Sequence, residues 1–291
     1  MNILKRHPYF SSIVILAGLL LILTGLLNVT QKQNLTFLKE GVIGVIEIKG
    51  VILNPDPVVA QIQKMARTES ILGVIVRLDS PGGGVAASQE IFDALNHLKS
   101  KKPIYSSMGA VAASGAYYIA CATNRIFANP GTITGSIGVL LQWFNLEELT
   151  EKIGAKSMTI KSAQNKDLMS MFRELRDPER DILQQLVDDS HEQFVQAIMQ
   201  GREKLTEEKV RELADGRIMA GNRAKTFGLI DEVASYPQVL QALANHLGLS
   251  DPVRTIQFDQ KNSWFNLLTG LLPFKQFLPP PSGIRLSYLL E

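Results

Sequence analysis

A serine set among very small residues, Ser114 in Gly109-Ala110-Val111-Ala112-Ala113-Ser114-Gly115, is the first place in this 291-residue chain where chemistry could sit. Lys102-Pro103-Ile104-Tyr105-Ser106-Ser107-Met108, just upstream, reads as a strand entered through a proline. Small residues after a strand permit a sharp turn into a helix with close backbone approach. A serine there meets free N–H groups and the positive end of the helix dipole, the surroundings that stabilise an acyl-transfer oxyanion. The same position suits a plain helix cap, the commoner fate of such a string. A nucleophilic serine also needs a base. His97, His191 and His246 fall within amphipathic helices among ordinary surface residues, and no carboxylate stands ready to orient them. Lysine is the other known base for serine. Lys161 and Lys166, in a polar loop after an expected strand, are the candidates.

A second glycine-rich stretch, Asp79-Ser80-Pro81-Gly82-Gly83-Gly84, follows an apolar run and precedes a helix. It reads as a tight connection, or as a nest of bare N–H groups able to hold an anion. No Gly-Lys-Ser/Thr ends it and the GxGxxG spacing is absent, so nucleotide binding is not indicated. An oxyanion donor beside a serine is the remaining chemical use.

Composition narrows the classes. Lysine plus arginine (30) nearly balance aspartate plus glutamate (28), leaving a formal net charge of +2 and no nucleic-acid bias. The single cysteine, Cys121, excludes an intrachain disulfide and any multi-cysteine metal site, and reads as a small buried filler. The four histidines show no paired metal-ligand spacing, so neither a metal nor a cofactor is expected.

The elements that must position these residues follow a rhythm. Lys5, Arg6 and His7 precede a stretch, Pro8 to Gln31, without any charge. A bilayer core takes about 20 apolar residues in a helix, so residues 1–31 are expected to form a cytoplasmic stub and an uncleaved anchor, spanning through residues 8–31. The basic flank stays in the cytoplasm, which places everything after a linker, 32–40, on the far side. From Gly41 onward, a strand pair or bent strand is expected at Gly41–Leu53, strands at Leu72–Leu78, before Ser114 and at Lys156–Ile160, and a looser strand, turn and helix unit over Arg125–Val139. Helices are expected at Val58–Arg67, Val85–Lys99 and Leu146–Ile153, from Asp177 on a face of Leu183, Val187, Phe194 and Ile198, and at Pro237–Leu247. A short closing strand is expected around Leu229–Val233. The recurring strand, glycine-rich turn and helix argue for an α/β fold with a largely parallel sheet. This gives one folded domain over 41–257 and a tail, 258–291, whose aromatics and Pro279-Pro280-Pro281 suggest a segment in search of a partner surface.

Taken in order, these landmarks make a pattern. They are Asp79 to Gly84, Met108-Gly109 through Ser114-Gly115 and Tyr117-Tyr118, Thr134-Gly135-Ser136-Ile137-Gly138-Val139, Ile160-Lys161-Ser162, Lys166-Asp167 and Ala214-Asp215-Gly216-Arg217. Together they resemble the bacterial signal peptide peptidase A family, of the short, single-domain type, over about Gly41 to Val233. The resemblance implies a ClpP/crotonase-like fold and a membrane-anchored serine endopeptidase that digests cleaved signal peptides with a Ser-Lys dyad. Ser114 matches the nucleophile and Lys166, by its spacing, the general base. Gly83 and Gly115 would lend oxyanion N–H groups, and Ser136 would hold the lysine amine. Where the family often has Gly-Gly after the serine, this chain has Gly115-Ala116.

Substrate binding can be argued physically as well. A peptide must lie extended, and pairing with a strand edge is the usual way. Apolar signal-peptide cores call for apolar pockets, for which Val85, Met108, Ala112 and Leu140 are the candidates. The resemblance further implies a ring-like homo-oligomer on the inner membrane of a bacterium, single-pass, with its catalytic domain on the periplasmic side. Two other readings keep the fold: a Ser-Lys protease aimed at one membrane protein, and a non-catalytic membrane scaffold. A crotonase-type acyl-CoA enzyme would share the fold too, but an export anchor argues against it.

Overall fold

The computed structural model describes residues 41–258 and 287–289. The anchor and linker expected over residues 1–40 lie outside the described residues. Among the described residues no helix is long and apolar enough to cross a membrane.

In chain order the strands are β1 Val42–Lys49, β2 Ile71–Ser80, β3 Gly82–Gly84, β4 Ile104–Ala113, β5 Arg125–Ala128, β6 Ile133–Gly135, β7 Ile218–Ala220, β8 Glu232–Val233, β9 Thr255–Gln257 and β10 Ser287–Leu289. The helices are α1 Asp56–Arg67, α2 Val85–Lys99, α3 Gly115–Ala120, α4 Glu147–Lys152, α5 Asp177–Gly201, α6 Glu207–Leu213, α7 Gly221–Thr226 and α8 Tyr236–Leu247. Eight strands share one sheet in the order β7-β6-β4-β2-β1-β9, with β5 beside β4 and β8 beside β5. Every pairing in it is parallel except β6 with β7. The expected α/β class with a largely parallel sheet is what the chain adopts.

The sheet is covered on both sides, which is why β1 and β2 read as near-continuous apolar runs rather than alternating ones. On one face Val74, Val76 and Leu78 of β2 join Ile91 and Leu95 of α2 and Phe194 of α5. On the other face Ile43, Ile75, Tyr105 and Phe127 pack against Val239 and Leu243 of α8. Burial of a side chain of this size stabilises by about 1.5–3 kcal/mol, so the two layers fix the sheet firmly. The apolar stripe expected on α5 is seated by Leu183, Phe194 and Ile198, while Val187 is half-buried.

Three expectations are corrected. Lys156–Ile160 is not a strand: the stretch has no regular structure and Met158 and Ile160 stand fully in solvent. Its alternation is real, but no neighbouring edge receives it. Pro81–Gly84 is not a bare turn, because Gly82–Gly84 forms a short strand of its own. Its N–H groups belong partly to a ladder, since Ile52 N–H donates to Gly82 O (2.9 Å) and Gly84 N–H to Ile52 O (2.8 Å). Finally, the strand–helix rhythm is interrupted after β6, where the chain runs irregularly to α4 and on through α5 and α6 before strand and helix alternate again from β7.

Candidate active site

Ser114 closes β4 and opens α3. Its backbone has φ 54° and ψ −119°, a region that side-chain-bearing residues seldom adopt. The turn is held by Ser114 N–H donating to Gly135 O (2.8 Å) and by Tyr118 N–H donating to Ser114 O (2.9 Å). The residue is 1% exposed, and its Oγ has no hydrogen-bond partner among the described residues. No capping bond is made by that side chain, so the cap reading of Ser114 finds no support in its contacts. A strained backbone carrying a buried, unpartnered hydroxyl is the kind of outlier that accumulates at functional sites.

The other serine is close by. Ala113 pairs with Gly135 across β4 and β6, so Ser114 and Ser136 stand at the same end of neighbouring strands. Ser136 also has positive φ, 50°, and its N–H donates to Arg217 O (2.8 Å). Thr134 Oγ1 donates to Ala112 O (2.7 Å) and locks the two strand ends together.

Both glycines singled out for oxyanion donation sit at this end. Gly115 is the first residue of α3, where an N–H has no intrahelical acceptor. The Gly82 C=O and the Gly84 N–H are spent on Ile52, so by strand alternation the N–H and C=O of Gly83 face the opposite edge. That edge carries β10, antiparallel, with Tyr288 opposite Gly83 and Leu289 opposite Gly82. Gly83 is irreplaceable on steric grounds: a Cβ there would lie 2.1 Å from Ile52 O. Ser80 Oγ accepts from Gly82 N–H (3.1 Å) and Ser88 Oγ donates to Gly84 O (3.0 Å), pinning the short strand at both ends.

Neither lysine is hydrogen-bonded to this cluster. Lys161 Nζ donates to Asp167 Oδ1 (2.6 Å) and to Gln164 O (3.0 Å). Asp167 in turn accepts from Arg173 (2.9 Å), which also grips the buried Glu179 (2.7 Å). Hydrogen bonds from Arg173, then from Lys161, hold the Asp167 carboxyl well below the usual carboxylate range. Lys161 is thus tied into an ion-pair network. Lys166 lies exposed on the same loop, and no side-chain bond ties it to Ser114 or Ser136. Of the pocket candidates, Met108 and Ala112 are wholly buried in the main core, Val85 is 7% exposed, and Leu140 is half-exposed.

Two of the histidines are engaged elsewhere, and His97 is exposed on α2. His191 Nε2 bonds Ala214 O (2.9 Å) and the His246 ring packs near Tyr105. Cys121 is buried, and burial pushes its thiol up to about 12, so it is the inert filler expected. Among the described residues no group of side chains could hold a metal ion. Sequence reasoning missed two parts of the site. Ile52 signals only as one more residue of an apolar run, and β10 as a short apolar run in a tail.

With this geometry established, comparison with known proteins is informative. The sequence profile of peptidase family S49 matches residues 96–250. A putative protease of Synechocystis sp. is 42% identical over 227 residues, which span 77% of this chain and 82% of the relative. The chain belongs to peptidase family S49. The Clp protease profile matches residues 45–133, which include β1 to β5. A putative signal peptide peptidase SppA of Enterococcus faecium is 37% identical over 192 residues, 66% of this chain and 56% of that protein. Protease 4 of Haemophilus influenzae is 32% identical over 208 residues, 68% of this chain and 34% of that protein. The chain therefore spans about half, or a third, of the length of these last two S49 relatives. A solved structure, a mutant of a membrane-bound stomatin-specific protease, overlaps with a TM-score of 0.49 at 18% identity, covering 76% of this chain and 98% of its own. The protein is a serine peptidase of the SppA type.

Proposed function

We propose that this S49 peptidase is a membrane-anchored endopeptidase that degrades cleaved signal peptides, with Ser114 as nucleophile and Lys166 as general base. The observation that carries the peptide reading is the Gly82–Gly84 edge. It takes an extended segment, β10, as an antiparallel strand at the end of the sheet where Ser114 lies. Strand addition engages main-chain groups and makes few demands on sequence, which suits a protease facing varied apolar peptides. In this reading Ser114 Oγ attacks the scissile carbonyl carbon, and Lys166 accepts the hydroxyl proton and returns it to the leaving amine. Gly83 and Gly115 N–H donate to the oxyanion, which develops in a desolvated setting where such donors act strongly. Ser136, on the neighbouring strand end, orients the lysine amine.

The choice of Lys166 over Lys161 rests on availability. Lys161 is held by Asp167, whereas Lys166 makes no side-chain bond among the described residues. Its loop carries Met158 and Ile160 fully exposed, with Ile153 and Phe144 largely so. Apolar side chains in that number favour cover by another chain. Lys166 then arrives at Ser114 from a neighbouring copy in a ring-like homo-oligomer. The basic Lys5-Arg6 flank ahead of the uncharged residues 8–31 supports an anchor oriented with the catalytic domain on the periplasmic side of a bacterial inner membrane.

The test is a Ser114→Ala strain. Membrane-associated peptides that match the apolar cores of secreted-protein leaders should accumulate in it, and purified wild-type enzyme should clear them. Accumulation of fragments from one membrane protein alone would instead select the narrower protease. Unchanged turnover by Ser114→Ala would remove Ser114 from the mechanism.

A further inference from the structure

The ladder between β2 and β4 breaks at one place. Leu78 pairs with Met108, and pairing resumes with Ser80 opposite Ala112. One residue of β2, Asp79, therefore faces three of β4, Gly109 to Val111. The two extra residues push the rest of β4 forward. At roughly 3.3 Å per residue, removing them would draw Ser114 back by about 7 Å along the strand. The same step moves β4 from one neighbour to another: its last pair with β5 is Met108 with Ala128, and its first with β6 is Val111 with Ile133. A bulge of this kind bends and re-aims a strand, and such features gather beside active sites.

The extra amides must find acceptors, and one side chain supplies them. Asp79 Oδ1 accepts from Ala110 N–H (3.1 Å) and from Val111 N–H (3.1 Å). Gly109 leaves room for it, since a Cβ at that position would come within 2.9 Å of Asp79 Cγ. On the far side, Thr132 Oγ1 donates to Gly109 O (2.7 Å). Ser114 follows Val111 by three residues, on a backbone whose positive φ is unfavourable unless its surroundings impose it.

We propose that Asp79 is a positioning residue for the nucleophile: its side-chain oxygen replaces the missing ladder acceptor, holds the bulge, and so sets where Ser114 meets the scissile carbon. Asp79 acts through the backbone and touches no substrate. What it supplies is an acceptor at a fixed point, which asparagine Oδ1 can also offer. The inference rests on Ser114 being the nucleophile, and the experiment separates the two ideas.

Steady-state cleavage of an apolar peptide is measured for wild type, Asp79→Ala, Asp79→Asn and Gly109→Ala, beside the rate at which a fluorophosphonate labels Ser114. Thermal unfolding reports folding. A reacting group displaced by about 1 Å costs about 100-fold in rate. Asp79→Ala should therefore lose about 100-fold in kcat with KM within about threefold, and labelling should slow in parallel. Asp79→Asn should keep kcat within about fivefold of wild type. Gly109→Ala, which forces the carboxyl aside, should resemble Asp79→Ala, and the double variant should be no worse than either alone. If Asp79→Ala does not fold, Gly109→Ala and Asp79→Asn carry the comparison. An Asp79→Ala enzyme with near-normal kcat, an asparagine variant as impaired as alanine, or a loss confined to KM would each overturn the proposal. Peptide cleavage surviving in Ser114→Ala would instead overturn the nucleophile assignment.

Discussion

Replacing Ser114 by alanine should stop catalysis and make the protein more stable. The two readings of this residue predict opposite signs. A serine that caps a helix loses about 0.5–2 kcal/mol when truncated to alanine. Here the hydroxyl makes no capping bond, is 1% exposed and has no partner among the described residues. An unsatisfied buried polar group costs about 1–3 kcal/mol. Alanine keeps the Cβ and the same positive φ, so the backbone strain is unchanged and only the orphaned oxygen goes. Allowing a few tenths of a kcal/mol for lost dispersion contacts, the net gain is about 1 kcal/mol. For a domain of this size that raises the melting temperature by about 2–4 °C. The assay is differential scanning fluorimetry or calorimetry on wild type and Ser114→Ala at equal concentration, with chemical denaturation to check the sign. A melting point lowered by a similar amount would refute the reasoning and return Ser114 to the role of a cap.

Other outcomes follow from the same geometry. If Lys166 acts on a neighbouring copy, Ser114→Ala and Lys166→Ala are each inactive, and unfolding and reassembling them together at equal ratio restores about a quarter of wild-type activity. No recovery in demonstrably mixed oligomers would place the base on the same chain, and an active Lys166→Ala with an inactive Lys161→Ala would exchange the two lysines. Cys121, with its thiol pushed up to about 12 by burial, should resist iodoacetamide at neutral pH in the native protein and react readily in denaturant; fast native alkylation would contradict its burial. Glu179 and Asp167 are held below the ordinary carboxylate range, each chiefly by hydrogen bonds from Arg173. Since their folded values lie below the unfolded ones, that stability is present above about pH 4 and fades as the pH falls further. Hydrogen-exchange protection in residues 161–179, taken relative to the intrinsic rate at each pH, should therefore fall at acid pH before the sheet opens; protection independent of pH would show that the ion pairs do not hold the loop.

How far the sequence could be read depended on whether its signals were local. The strand ends at Ser114, the helix Val85–Lys99 and the start of α5 at Asp177-Pro178-Glu179 announce themselves through small residues, periodicity and caps, and the chain follows them. Pro81–Gly84 was misjudged because a run of glycines looks like freedom. Only the approach of Ile52, more than two dozen residues earlier, shows it to be a strand in which the Cβ position at Gly83 is already occupied. Lys156–Ile160 failed for the converse reason: β-branched and polar alternation describes a strand only when an edge is waiting. Asp79 was visible as the first residue of a motif, yet its task depends on a register offset between β2 and β4 that no single stretch encodes.

The site's two halves belong to different mechanical regimes, and this shapes what the enzyme can do alone. Ser114, Ser136 and Gly115 are buried at strand ends within the main sheet, tied by backbone bonds of 2.8–2.9 Å. Such placement gives a nucleophile the fixed geometry that rate demands. The lysines ride on an irregular, exposed loop whose order comes from the Lys161–Asp167–Arg173–Glu179 ion pairs rather than from core packing. These pairs, anchored on the buried Glu179, order a stretch that has no sheet or helix of its own, so the loop's position is the part of the site most open to influence from a neighbouring molecule. A nucleophile without its base is inert. On the proposed reading, in which the base comes from a neighbouring copy, the full constellation would exist only where copies have come together, a division that suits a peptidase with weak sequence preference.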